Sequence, residues 1–182
     1  CHTAGGLPAF IHNNSARVVD EKGTTITIGM SELPASNGFT CATCHNLGSW
    51  PELYPVASVV FPGGTPLSLA GIDTDGLFVV DSSNICLHCH QGSESTRSVE
   101  VYLGDKEADT VDAKLTFKNV HYGAAGATLF GSEAAVGYQY AGQTYAGLND
   151  HPDNKCLECH DMHTLKIDTD RCAACHGDVT SL

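Results

Sequence analysis

Cys41-Ala42-Thr43-Cys44-His45, Cys86-Leu87-His88-Cys89-His90, Cys156-Leu157-Glu158-Cys159-His160 and Cys172-Ala173-Ala174-Cys175-His176 decide how this 182-residue chain is organised. Cys-x-x-Cys-His is the attachment signature of c-type haem. Its two thiols reach the two vinyl groups of one porphyrin as thioethers, and the next imidazole falls beneath the iron as proximal ligand. Cys41, Cys44, Cys86, Cys89, Cys156, Cys159, Cys172 and Cys175 are therefore the thioether residues, and His45, His90, His160 and His176 the proximal ligands. Paired cysteines also build zinc ribbons, but four thiolates already close a tetrahedral site and need no histidine after the second cysteine. His is 10 of 182 residues. Its chance placement after all four pairs is on the order of one in a hundred thousand, which a framework of four disulfides would leave equally unexplained.

Four haems on one short chain make the cofactor part of the interior. Hydrophobic residues are 42% of the chain, aromatics 7%, and Gly number 19, a thin supply for a conventional core. The expected fold is mostly irregular coil with short helices and a few short β-strands, organised as one unit, residues 1–182, around a stack of four haems. Haem attachment needs reduced thiols outside the cytoplasmic membrane, so the chain is expected to be exported, to the cell surface or beyond it, or else to the periplasm. The sequence shows no leader of the kind removed on export, and no apolar run approaches the roughly 18 residues of a membrane span. A formal charge of −12 with only 9 Lys and Arg argues against a nucleic-acid partner and suits a basic redox partner.

The motifs start at 41, 86, 156 and 172, at intervals of 45, 70 and 16, which is a repeated cofactor site rather than a solenoid of fixed period. The last interval brings the third and fourth haems close together. Residues 1–40 hold no complete motif, and Arg17–Val19 with Thr24–Ile28 around Asp20-Glu21-Lys22-Gly23 reads as a β-hairpin. Strand alternation is also read at Leu77–Val80, Ser98–Leu103 and Ala113–Lys118, and helix at Ala124–Ala135, broken by Gly126 and Gly131. The tyrosines of Gly137–Gly147 suit a hairpin decorated with Tyr138, Tyr140 and Tyr145. Trp50 reads as a packing residue.

Histidine arithmetic is the next quantity. Proximal duty leaves His2, His12, His88, His121, His151 and His163, while Met30 and Met162 are the only methionines. Six spare imidazoles for four irons point to ligation by histidine on both sides, which leaves no open position for a substrate. The spare histidines rank His121, His163 and His151 first, then His12, then His88 and His2. His163 follows His160 too closely to fold back onto the same iron, and the nearby fourth motif offers an adjacent one; His151 is similarly placed. His12 is a candidate to serve from a neighbouring subunit. Cys1 has no Cys-x-x-Cys partner; a lipid-bearing residue, an intermolecular disulfide and the tail of a truncated motif ending in His2 all fit it.

The four motifs, with Cys86-Leu-His-Cys-His-Gln-Gly-Ser-Glu-Ser-Thr96, His121-Tyr-Gly-Ala-Ala-Gly-Ala-Thr-Leu-Phe-Gly131, Gly137-Tyr-Gln-Tyr140 and Cys156-Leu-Glu-Cys-His-Asp-Met-His-Thr-Leu165, resemble the multihaem c-type cytochromes of the cell surface. The likeness is to the tetrahaem type that polymerises into extracellular filaments, and it covers the second half of the chain better than the first 40 residues. It implies distal roles for His121, His151 and His163, a distal His12 supplied in trans, and copies of the chain as partners in a helical homopolymer. It also implies electron transfer rather than catalysis, to redox proteins or extracellular acceptors. His88, inside its motif, departs from the pattern. A soluble periplasmic shuttle and a multihaem reductase are the competing functions, the last needing a vacant iron position.

Overall fold

Phe61 and Leu87, both with no exposed surface, mark the centre of the apolar core, together with Leu7, Val56, Val59, Leu69, Ile85, Phe130 and Ala134. Phe61 meets Phe130 edge-on at 5.5 Å between ring centroids. The computed structural model describes residues 3–12, 16–19, 25–28, 37–72, 74–107, 109–151 and 155–179. Within them lie seven short helices: α1 (Gly6–His12), α2 (Cys41–Cys44), α3 (Asn84–His90), α4 (Thr96–Leu103), α5 (Ala125–Phe130), α6 (Cys156–Cys159) and α7 (Thr169–His176). Three separate antiparallel pairs join β1 (Ala16–Val19) to β2 (Thr25–Ile28), β3 (Val59–Val60) to β4 (Pro66–Leu67), and β5 (Ala70–Ile72) to β6 (Phe78–Val80). The rest is turn and coil, so the expected class of short helices, few strands and much irregular chain is what the protein has.

A framework this irregular needs buried hydrogen bonds to fix its loops, and Asn84 supplies them. Its Oδ1 accepts from the Leu69 amide at 2.6 Å, while its Nδ2 donates to the Val56 carbonyl at 3.1 Å, the Leu69 carbonyl at 3.0 Å and Ser68 Oγ at 3.0 Å. One fully buried amide thereby ties the start of the α3 helix to the chain on both sides of the β3–β4 hairpin. The α3 helix then packs against α5, and Gly126 makes that approach possible. A Cβ there would stand 2.8 Å from Leu87 Cδ2 and 2.9 Å from the His90 carbonyl oxygen.

The β1–β2 hairpin forms with Val19 opposite Thr25, and Phe78–Val80 forms a strand, as the sequence indicates. The helical reading of residues 124–135 resolves into α5 and a 3-10 turn at Gly131–Glu133, with the break at Gly131. Three strand readings fail. Ser98–Leu103 lies in α4, because Ser95 caps the helix by accepting from the Ser98 amide, and Ser98, Val99, Tyr102 and Leu103 turn inward at helical spacing. Ala113–Lys118 forms no strand: the Tyr102 hydroxyl accepts from the Thr116 amide at 2.7 Å and donates to the Lys114 carbonyl at 3.0 Å, taking groups a partner strand would need. The tyrosine stretch likewise makes turns instead of a hairpin, with the Tyr145 hydroxyl accepting from the Tyr140 amide at 2.8 Å.

Asn84→Ala leaves buried backbone groups of Leu69 and Val56 without partners, each worth about 1–3 kcal/mol. The variant should unfold at lower denaturant concentration, with stability reduced by about 3 kcal/mol in an equilibrium titration.

Candidate functional site

The Cys-x-x-Cys-His segments adopt two local forms. In the first and third motifs the two cysteines occupy one helical turn, α2 and α6, and the histidine leaves it in extended conformation. The amides of His45 and His160 donate to the carbonyls of Cys41 and Cys156, both at 2.9 Å, and each histidine then bridges an antiparallel segment, at Leu53 and Ile167. In the second and fourth motifs the histidine is the last residue of a longer helix, α3 or α7. Gly177, at φ +75, ends the α7 helix where a side chain would be strained.

Three of the four motif imidazoles are oriented by backbone carbonyls. His45 Nδ1 lies 2.6 Å from the Pro51 oxygen and His160 Nδ1 lies 3.2 Å from the Leu165 oxygen, while His90 Nδ1 meets the Gly123 oxygen. A carbonyl only accepts, so each Nδ1 carries the proton and Nε2 keeps its lone pair for a metal. Such a bond also fixes the plane of a ligating imidazole.

Two further imidazoles stand opposite motif histidines. His163 faces His45 with ring centroids 6.4 Å apart and planes 14° from parallel. His151 faces His176 at 6.1 Å and 20°. Two rings sharing one metal through bonds of about 2.0 Å, with about 1.1 Å from each nitrogen to its ring centre, would have centroids about 6.2 Å apart. The rings of His163, His151 and His176 are exposed, so burial does not account for their alignment. The ring of His163 thus lies beside that of His45 of the first motif, on the loop enclosed by the bridge between His160 and Ile167. His121 lies on an exposed loop, with φ +79, two residues before the carbonyl that holds His90. His88 packs edge-on against Phe10 at 5.0 Å, and burial pushes its imidazole down to about 4. His12 closes helix α1; its side chain, with Cys1 and His2, lies outside the described residues.

The cysteines of the first three motifs converge on the core. Cys44, Cys86 and Cys156 all pack against it. The Cys86 thiol is pushed up by its hydrogen bond with Cys156 and by burial, and burial raises Cys44. Ser83, fully buried, accepts from the Leu157 amide at 3.1 Å, and Lys155 pairs with Asp81 at 3.3 Å, so the second and third motifs are fastened together at their starts. The third and fourth are joined by Arg171 donating to the Leu157 carbonyl at 2.6 Å and by the Asp168 amide donating to the Cys159 carbonyl at 2.8 Å.

The donor set suits haem. In each motif two cysteines and an imidazole lie within five residues, and none of the eight cysteines is paired in a disulfide. Apolar side chains stand exposed beside two motif histidines, Leu47 and Trp50 after His45 and Met162, Leu165 and Ile167 after His160, and Tyr122 is exposed next to the spare His121.

Over 160 residues the chain is 30% identical to the C-type polyheme cytochrome OmcC of Geobacter sulfurreducens (strain ATCC 51573 / DSM 12127 / PCA). Over 163 residues it is 31% identical to the C-type polyheme cytochrome OmcB of the same organism, in that strain and in strain DL-1 / KN400. These likenesses support a multihaem c-type cytochrome. The matches cover 80% of this chain but 19–20% of each relative, so the chain spans about a fifth of the length of the curated relatives it matches. No family model matches it, and no solved structure does. Among the described residues no helix is long and apolar enough to cross a membrane.

Gly123 holds its carbonyl against His90 at φ +63, and a Cβ there would lie 3.4 Å from the ring. Gly123→Val should cost about 1–2 kcal/mol through left-handed strain. Equilibrium unfolding measures that loss, and the same variant should alter the visible spectrum of one haem.

Proposed function

We propose that the chain is an electron carrier holding four covalently bound c-type haems, each iron ligated by histidine on both faces. The observation that carries this reading is the pair of facing imidazoles, His45 with His163 and His176 with His151, at the spacing a shared metal requires. Cys41 and Cys44, Cys86 and Cys89, Cys156 and Cys159, and Cys172 and Cys175 hold the four porphyrins. The irons of His90 and His160 are left to His121 and to His12, the latter contributed by a neighbouring subunit. Bound haem supplies a reversible one-electron couple at iron. The chain supplies ligand geometry, partial burial and spacing, and with both axial positions filled it offers no place for a substrate, which separates the carrier from a reductase.

The same reading makes the chain the repeating subunit of an extracellular filament. Its support is the resemblance carried by His121–Gly131 and Cys156–Leu165, together with large apolar side chains left outside: Phe78 is 71% exposed and Phe117 87%. A periplasmic shuttle with the same ligation would suit the charge of −12 equally well.

Intact-mass measurement of the native protein should give four haem additions per chain, and electron paramagnetic resonance should show only low-spin ferric iron. Negative-stain images of concentrated material should show filaments. Monodisperse particles with complete low-spin character would select the shuttle, and a high-spin signal altered by nitrite would select the reductase. His163→Ala should turn one haem of four high-spin, as should His151→Ala.

A further inference from the structure

Each of the three spare histidines on exposed loops is preceded, two residues earlier, by Asn or Asp: Asn119-Val120-His121, Asn149-Asp150-His151 and Asp161-Met162-His163. In all three the side-chain Oδ1 accepts the backbone amide of the histidine, at 2.8 Å from Asn119 to His121, 2.9 Å from Asn149 to His151 and 3.1 Å from Asp161 to His163. Of the other histidines from His12 onward, none has Asn or Asp at that position. His12 follows Phe10, His88 follows Cys86, and the motif histidines follow Thr43, His88, Glu158 and Ala174. The three loops lie in separate stretches of the chain, after Lys118, after Gly147 and after His160, so the contact recurs without a repeated sequence around it.

We infer that Asn119, Asn149 and Asp161 are positioning residues that hold the distal ligands His121, His151 and His163 ready for iron. This rests on the ligation proposed above and adds to it the residues that make that ligation possible. A motif histidine is placed by two covalent bonds just before it. A distal histidine has no such anchor, and these three lie on exposed backbone, where packing does little to order them. An Asn or Asp oxygen bonded to the amide two residues on closes a small ring that restricts the backbone of both residues. The cost of ordering the ligand is then met before the metal binds. His121 shows the need most clearly, since its φ of +79 is a conformation that side chains other than glycine seldom take. Asp161 goes further: the same oxygen accepts the Thr164 amide at 2.7 Å, and the Asp161 amide donates to the Lys166 carbonyl at 2.9 Å. It thus closes the loop that carries His163 and whose Leu165 carbonyl orients His160.

The test uses the haem-loaded chain, with carbon monoxide as a probe of any opened iron in the reduced protein. The variants are Asn119→Ala, Asn149→Ala and Asp161→Ala, the swaps Asn149→Asp and Asp161→Asn, and the controls His121→Ala, His151→Ala and His163→Ala. Haem content by intact mass should stay at four throughout. Each histidine control should bind one equivalent of carbon monoxide. Each alanine variant at the Asx position should bind it at least tenfold faster than the unaltered chain and show a partial high-spin signal, and the swaps should restore the unaltered behaviour. If the histidine controls open an iron while the Asx variants behave as the unaltered chain, the positioning role is overturned and the ligation stands. If the histidine controls themselves open none, the ligation has failed and the inference with it. Should Asp161→Ala lose haem, the two asparagine variants decide the matter.

Discussion

An imidazole has two nitrogens, and engaging one decides what the other can do. At His45, His90 and His160 a backbone carbonyl accepts a hydrogen bond from Nδ1–H, which orients each ring and leaves the Nε2 lone pair available. The carbonyls come from Pro51, Gly123 and Leu165, so three loops have to fold back onto three motifs before any ring can point correctly. Much of the irregular chain is explained by that requirement. The bridges at Leu53 and Ile167, the left-handed turn at Gly123 and the positive φ of Leu165 all serve to bring a carbonyl to an imidazole.

The protein's own interior does less. Among the described residues, Phe61, Leu87 and seven other buried apolar residues form the core, and cysteines from three of the motifs pack against it. Buried polar contacts supplement it, Asn84 across the β3–β4 hairpin and Ser83 between the second and third motifs. Exposed apolar side chains lie beside two of the motif histidines, Leu47 and Trp50 after His45 and Met162, Leu165 and Ile167 after His160.

What the sequence reveals about this molecule depends on how far apart in the chain the interacting groups lie. The four Cys-x-x-Cys-His motifs are legible because each lies within five residues. The pairing of His45 with His163 is not, since nothing local links the two, and chain proximity points instead to the fourth motif. The Asx-x-His pattern was nonetheless present as a local signal, and it singles out the same three histidines that residue counting and family likeness place first. The strand reading of residues 98–103 shows the opposite failure. Val99, Glu100 and Val101 alternate, but the Ser95 cap and the inward spacing of Val99, Tyr102 and Leu103 carry the helix. At residues 113–118 the alternation is real but has no neighbour to pair with, because Tyr102 holds that backbone.

The bridge between His160 and Ile167 encloses a span so short that, on the proposed ligation, one turn of chain grips two different irons. It presents His160 to one and His163 to another, with Asp161 at its base. Any shift in that turn would therefore tug on both metals at once. Their electronic properties become hard to adjust separately, so natural variation in this short peptide should be read as tuning a couple rather than a single centre.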